Sequence, residues 1–135
     1  MVLPIKVKLE NPLLGESCYV GSDSEPITLH LTTGTTSPPP PNKPLSGNPG
    51  KATFNEALTI ITINGTSLVD NSFSAPGAEG CGGALSGLLD TVVDLQAGLP
   101  SAAGNNTAIL NGSLAETVPK FVKKAKVIPG RAARR

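Results

Sequence analysis

Aromatic residues, histidine and charge are all scarce in this chain of 135 residues. It has no tryptophan, one tyrosine and three phenylalanines, and only 16% of its residues are charged. A core must therefore be aliphatic, and the sequence disfavours a ligand cavity lined by aromatic side chains. One histidine and two cysteines cannot supply a closed zinc site without carboxylates, so we expect no metal and no cofactor.

Long hydrophobic runs are also missing. No stretch of eighteen apolar residues occurs, so we expect no membrane-spanning helix. The first six residues, Met-Val-Leu-Pro-Ile-Lys, do not have the pattern of a signal peptide. Glycine (15) and proline (13) are abundant beside 39% hydrophobic residues, which predicts many turns between short elements rather than a disordered chain.

The stretch from residue 74 to residue 100 contains the densest glycine cluster and the clearest helical pattern. Apolar residues at spacings of three and four predict a helix near 84–97 with this stripe facing the core: Leu85, Leu88, Leu89, Val92, Leu95 and Leu99. The same pattern places Asp90 and Asp94 on the solvent side. The preceding glycines, around Cys81, favour a tight turn that carries a disulfide into the helix. A nest of backbone amides that binds an anion is the alternative.

The two cysteines, Cys18 and Cys81, are far apart in the sequence. A bond between them would close a loop of more than sixty residues and would imply an oxidising compartment. Two free buried thiols, or a reactive Cys81, are the alternatives. If the bond forms, the absence of a signal sequence indicates a mature or trimmed form whose Met1 was added.

Alternating and turn-bounded apolar segments predict β-strands. Residues 3–9 read as one half-buried strand, residues 17–20 as a short second one, and residues 27–32 as a third with His30 pointing to solvent. Asn64-Gly65 and Asn111-Gly112, each between apolar runs, predict two hairpins with type I′ turns. We therefore expect a mainly β fold over residues 1–119, an antiparallel β-sandwich or partly open barrel with one short α-helix.

A proline-rich segment, residues 32–49, interrupts these strands. Pro38 to Pro41 are consecutive, which favours an extended backbone. We interpret the segment as a stiff crossover between two sheets, and a ligand for aromatic grooves is the alternative.

Charge is distributed unevenly along the chain. Residues 1–119 carry four lysines against ten carboxylates, a net charge of −6. Residues 120–135 form a basic C-terminal tail with seven cations: Lys120, Lys123, Lys124, Lys126, Arg131, Arg134 and Arg135. These cations suit contact with an anionic cell-surface polymer or with the acidic face of a neighbouring copy, and a solvated tail that only aids solubility is the alternative; we do not expect nucleic acid as the partner.

Four stretches resemble a group of small secreted actinobacterial proteins of unknown function. They are Asn-Pro-Leu-Leu-Gly-Glu-Ser-Cys-Tyr-Val-Gly-Ser (11–22), Leu-Thr-Thr-Gly-Thr-Thr-Ser-Pro-Pro-Pro-Pro-Asn (31–42), Ser-Ala-Pro-Gly-Ala-Glu-Gly-Cys-Gly-Gly (74–83) and Gly-Leu-Pro-Ser-Ala-Ala-Gly-Asn-Asn-Thr-Ala-Ile-Leu-Asn-Gly (98–112). The resemblance implies export and, through export, the Cys18–Cys81 bridge. It implies no catalytic residues, and the basic tail is not part of it.

Two hypotheses about function follow. The first is a non-enzymatic extracellular or cell-envelope protein, either an interaction module or a self-assembling structural subunit. The second is a secreted hydrolase that uses acidic residues, such as Asp90 with Asp94, or Glu79 beside the glycine cluster. We favour the first, because the sequence contains no catalytic constellation around its single histidine.

Overall fold

The computed structural model describes residues 1–55 and 60–117. Within these residues the chain forms eight strands and one α-helix, and every strand pair is antiparallel. The elements are β1 (Val2–Ile5), β2 (Val7–Lys8), β3 (Tyr19–Val20), β4 (Ile27–His30), β5 (Lys51–Asn55), β6 (Ile60–Asp70), β7 (Ala78–Glu79), a 3₁₀ turn (Gly83–Leu85), α1 (Ser86–Ala97) and β8 (Ala108–Thr117). The prediction of a mainly β, antiparallel fold with one short helix is confirmed.

Three small sheets contain these strands. β1 pairs with β4, β2 and β7 flank β3, and β5 and β8 flank the long central β6. In the described part of the chain no sheet closes into a barrel.

The predicted single strand from Leu3 to Leu9 is divided between two sheets. β1 pairs with β4, Lys6 lies between the strands, and β2 then pairs with β3. Leu3 and Ile5 pack against the core, whereas Val7 is exposed. The alternation correctly indicated extended backbone, but it carries no signal for a change of partner strand.

The core is aliphatic and lies where β4, the β3–β7 pair and one side of α1 meet. Ile27, Leu29 and Leu31 are buried there, as the alternation in this segment predicted, and His30 between them is exposed. Leu89 and Val93 of α1 pack against the same cluster.

The two predicted Asn-Gly hairpins are wrong. β6 runs straight through Asn64-Gly65 and β8 runs straight through Asn111-Gly112, and the two strands pair with each other. Asn64 and Gly65 together lie opposite the single residue Ser113, which makes a β-bulge with Gly65 at φ 71°. A bulge of this kind and a type I′ turn both require positive φ, so the same dipeptide suits either structure.

The proline-rich segment is the crossover between sheets that we predicted. It leaves β4 in the first sheet and enters β5 in the third. On the way it forms isolated bridges to β6, Thr32 with Val69 and Asn48 with Ser67. The Asn42 side-chain amide donates to the carbonyl oxygens of Asn71 (2.9 Å) and Asn106 (2.8 Å), which fixes the middle of the segment.

Candidate functional site

A disulfide joins Cys18 and Cys81 and lies at the centre of the core, with both residues fully buried. The pairing of β3 with β7 brings them together, because Tyr19 is opposite Glu79 and both cysteines lie just beyond the same end of this pair. The bridge predicted for these two residues is confirmed, and the alternatives of free thiols and a reactive Cys81 are wrong.

The glycine cluster forms the tight turn that carries this bridge into the helix. Gly80 has φ 75°, and a Cβ there would collide with the carbonyl oxygen of Ser17. The N–H of Cys81 donates to Oδ1 of Asp90 (2.7 Å), and the N–H of Gly82 donates to the carbonyl oxygen of Leu14 (2.6 Å). Since acceptors within the chain already occupy these amides, they do not form the anion-binding nest that was the alternative.

The helix has the predicted extent, but it is rotated about its axis so that a different side from the predicted one faces the protein. α1 ends at Gly98, whose φ of 68° is the expected left-handed cap. Asp90 and Asp94, expected on the solvent side, are half-buried and face the preceding loop. The N–H of Ala78 donates to Oδ1 of Asp94 at 2.7 Å, as that of Cys81 does to Asp90. Both carboxylates therefore hold the backbone at the start of β7 and just after it, and they do not face each other across a cleft.

We predict that Asp90→Ala and Asp94→Ala each lower the free energy of unfolding by about 1–3 kcal/mol, since each leaves a partly buried N–H without its acceptor. Urea denaturation followed by circular dichroism measures the loss. Gln96→Ala, an exposed position on the same helix, is the control and should change stability by less than about 0.5 kcal/mol. Variants as stable as the wild type would show that these hydrogen bonds contribute nothing.

The apolar stripe expected to face the core is mostly exposed. Leu89 and Leu99 pack inward, but Leu88 and Leu95 are 65% and 79% exposed, and Leu85 and Val92 are exposed beside them. The stripe prediction is wrong because the helix is rotated so that its two carboxylates reach the backbone N–H groups of Ala78 and Cys81. The result is an uncharged, leucine-rich helix surface on the outside of the protein.

An open groove of about 590 Å³ surrounds His30, between β4 and the segments at residues 72–76 and 100–103. Glu25 and Ser72 line the same groove. Among the described residues, no hydrogen bond joins the imidazole of His30 to a serine or a carboxylate. The neighbouring Asp70 instead accepts the backbone N–H groups of His30 (2.7 Å) and Ser72 (2.9 Å). The groove thus lacks the paired nucleophile and base that covalent catalysis requires.

A second uncovered apolar surface among the described residues belongs to the third sheet. Residues directly opposite each other in antiparallel strands share a face, and the register puts a set of apolar side chains on one face. The apolar members are Ala52, Phe54, Ile61, Ile63, Leu68, Leu110 and Leu114, and the same face also carries Thr66, Gly112 and, at one end, Glu116. Leu68 packs against the core, but the face continues beyond it, where Phe54 is 56% and Leu114 is 52% exposed.

The bulge in β6 keeps Leu68 on the same face as Ile61 and Ile63, with Thr66 and Gly112 between them. Without the extra residue, Leu68 would lie on the opposite face from Ile61 and Ile63, since side chains alternate along a strand. Placing Asn64 and Gly65 against Ser113 shifts the register by one residue and returns Leu68 to their side.

β8 forms one edge of the third sheet. Its ten residues pair with β6 on one side, and no other strand of the described chain pairs with its second side. Residues 108–116 include only half-buried or exposed side chains, and Ile109 is exposed on the opposite face from Leu110. This edge therefore offers a row of backbone hydrogen-bonding groups flanked by apolar side chains.

Ion pairs neutralise part of the basic charge of residues 1–119. Lys6 Nζ lies 2.8 Å from Oδ1 of Asp23, and Lys8 Nζ lies 3.3 Å from Glu10 and 3.6 Å from Glu16. The hydrogen bond to Asp23 raises the pKa of Lys6, and the bond to Glu10 raises the pKa of Lys8. The seven cations of the predicted tail, from Lys120 to Arg135, lie outside the described residues.

No cluster of three or more metal-ligating side chains occurs in residues 1–55 and 60–117. The same ranges contain no helix long and apolar enough to cross a membrane.

Comparisons with protein-family models, curated proteins and solved structures find no match to this chain.

Sequence reasoning missed the apolar sheet face and the edge position of β8, which pairs with β6 alone among the described strands. Assigning the two Asn-Gly dipeptides to hairpin turns divides each long strand into two short ones. The signal that could have indicated a long pairing is the similarity of the two segments, since each is an apolar run interrupted once by Asn-Gly.

Proposed function

We propose that this protein is a non-enzymatic extracellular or cell-envelope subunit that associates with copies of itself through its third sheet. The observation that carries the proposal is the edge strand β8, ten residues long and bordered by an apolar sheet face that extends past the core. Natural proteins usually protect such an edge with lysine, proline, a short strand or a covering element. An uncovered apolar surface of this kind is typical of an interaction site.

The contacts of the acidic residues support a non-enzymatic role. Asp90 and Asp94, the candidate acid–base pair of the hydrolase hypothesis, each accept a backbone N–H. Glu79 is exposed in β7, directly opposite Tyr19 rather than another carboxylate. These carboxylates do not form the facing pair that glycoside hydrolysis uses.

The buried disulfide supports an extracellular location. Structural disulfides persist in oxidising environments and are rare where thiols are kept reduced. Since this bridge occupies the middle of a small aliphatic core, the fold depends on a compartment in which it can form.

The test is the size of the full-length protein in solution as a function of concentration. We expect sedimentation velocity to show reversible association between about 1 μM and 1 mM, the range of weak to moderate interfaces. Leu114→Lys should abolish it by placing a charge on the uncovered sheet face. Leu95→Lys is the matched control, because Leu95 is an exposed leucine on the helix, away from the sheet. A wild-type protein that remains monomeric over the whole range would refute the proposal.

A further inference from the structure

We infer that two copies join edge to edge, β8 against β8, in antiparallel orientation about a two-fold axis at Gly112. The product is one continuous sheet of six strands in the order β5-β6-β8-β8-β6-β5. The inference rests on the proposed function, self-association, and adds to it the strand, the register and the symmetry.

The composition of β8 makes it suited to pairing with another strand. It reads Ala-Ile-Leu-Asn-Gly-Ser-Leu-Ala-Glu-Thr, with Glu116 as its single charge and with neither lysine nor proline. At about 3.4 Å per residue the edge is about 34 Å long. The neighbouring bulge lies in the central strand β6, so the backbone of β8 itself remains unbroken from Ala108 to Thr117.

The sequence around Gly112 is self-complementary when β8 is reversed. With Gly112 on the axis, Leu110 of each copy lies opposite Leu114 of the other, which gives two apolar cross-strand pairs on the same face. The two Glu116 carboxylates fall at opposite ends of the pairing, each opposite Ala108. If one copy of β8 slides by two residues in one direction, Leu110 lies opposite Glu116. If it slides by two residues in the other direction, Leu114 lies opposite Ala108. Both shifts lose the leucine pairs, and a shift of one residue would pair opposite faces.

Charge complementarity identifies a second copy as the occupant of this edge. β8 begins next to the core, where Ala108 pairs with Asp70, and it ends about 30 Å away at Thr117. The chain continues from there with the segment 118–135, which carries four lysines and three arginines and no acidic residue. Antiparallel pairing brings the Thr117 end of each copy beside the core end of the other. The basic segment of one copy then starts beside the core end of its partner, whose residues 1–119 carry a net charge of −6 overall, rather than about 30 Å from its own core.

The experiment exploits the fact that Gly112 would face itself across the axis. An ideal Cβ at Gly112 has no atom within 4 Å, and its φ is not positive, so the fold accommodates a side chain there. We expect Gly112→Lys and Gly112→Glu each to weaken self-association at least tenfold, because two like charges meet at the axis. An equimolar mixture of the two variants should form a heterodimer at least as tight as the wild type at low salt.

Gly87→Lys and Gly87→Glu are the matched controls. Gly87 in α1 is likewise open to a Cβ without positive φ, but it lies outside the third sheet. These variants should associate as the wild type does, and circular dichroism confirms that all four variants are folded. Deleting residues 118–135 should weaken the dimer at low salt and have less effect above about 0.1 M salt, where exposed charges are screened.

The possible results separate this inference from the proposed function. If Leu114→Lys disrupts association but the Gly112 variants do not, copies pack through the sheet face and the β8 pairing is wrong. If both Gly112 variants are monomeric and their mixture is also monomeric, the axis is not at Gly112. If deletion of 118–135 strengthens association, that segment covers the edge within one copy, and the inference is overturned while self-association stands.

Discussion

Replacing both Cys18 and Cys81 with alanine is expected to lower the free energy of unfolding by about 4 kcal/mol. The bridge spans a sequence separation of 63, and closing a loop of that length restricts the unfolded chain by about this amount in the chain-entropy model. Domains of this size have a total stability of about 5–15 kcal/mol. The variant should therefore be close to unfolding at 37 °C, and urea denaturation at 10 °C measures the loss.

Reduction of the wild-type protein is the companion measurement. Dithiothreitol should lower the thermal midpoint of the wild type and leave that of the double alanine variant unchanged, since the latter has no bond to reduce. Both cysteines are fully buried, so reduction should require partial unfolding and should be faster near the midpoint. Equal midpoints for the oxidised and reduced wild type would contradict the stabilising role of the bridge.

Asp70→Ala is expected to destabilise the fold by about 3 kcal/mol. Asp70 is 2% exposed, and its two carboxyl oxygens accept the N–H groups of His30 in β4 and Ser72 after β6. The alanine variant leaves two donors without an acceptor, at a cost of about 1–3 kcal/mol each. It also removes a hydrogen bond that joins the first sheet to the third. Chemical denaturation gives the magnitude.

Two further variants make this prediction specific. Asp70→Asn keeps one acceptor oxygen but turns an NH₂ group toward the other donor, so its loss should lie between those of the wild type and the alanine variant. Asp23→Ala is the surface control. The side chain of Asp23 is 90% exposed and its pair with Lys6 is solvated, so the change should be below about 1 kcal/mol. Losses of equal size at Asp70 and Asp23 would contradict the proposed anchoring role of Asp70.

The extent of the helix could be predicted from the sequence, but its orientation could not. Gly98 and Pro100 terminate α1 through local backbone chemistry, which a sequence pattern records directly. The side of α1 that faces the core is set by the backbone N–H groups of Ala78 and Cys81. These groups donate hydrogen bonds to the carboxylates of Asp94 and Asp90. The leucine stripe alone therefore indicated the wrong face.

The two Asn-Gly dipeptides show a second limit. Their preference for positive φ was read correctly, but a turn and a bulge share that preference. The choice between them is made by the pairing of β6 with β8, whose partner residues are 38 to 57 positions apart in the sequence. Asp70 illustrates the same limit, because its role depends on His30, forty residues earlier. The disulfide was easier to predict, since only one pairing of two cysteines exists.

The bridge also changes the covalent connectivity of the chain. Residues 18–81 form a closed ring, and the N-terminal segment 1–17 and the C-terminal segment 82–135 are two arms that leave it at adjacent points. The ring contains the proline-rich crossover, and the C-terminal arm contains α1 and β8. A protease that cuts one peptide bond in the crossover opens the ring without releasing a fragment. The protein therefore keeps both halves of its fold tethered after such a cut for as long as the bridge remains oxidised.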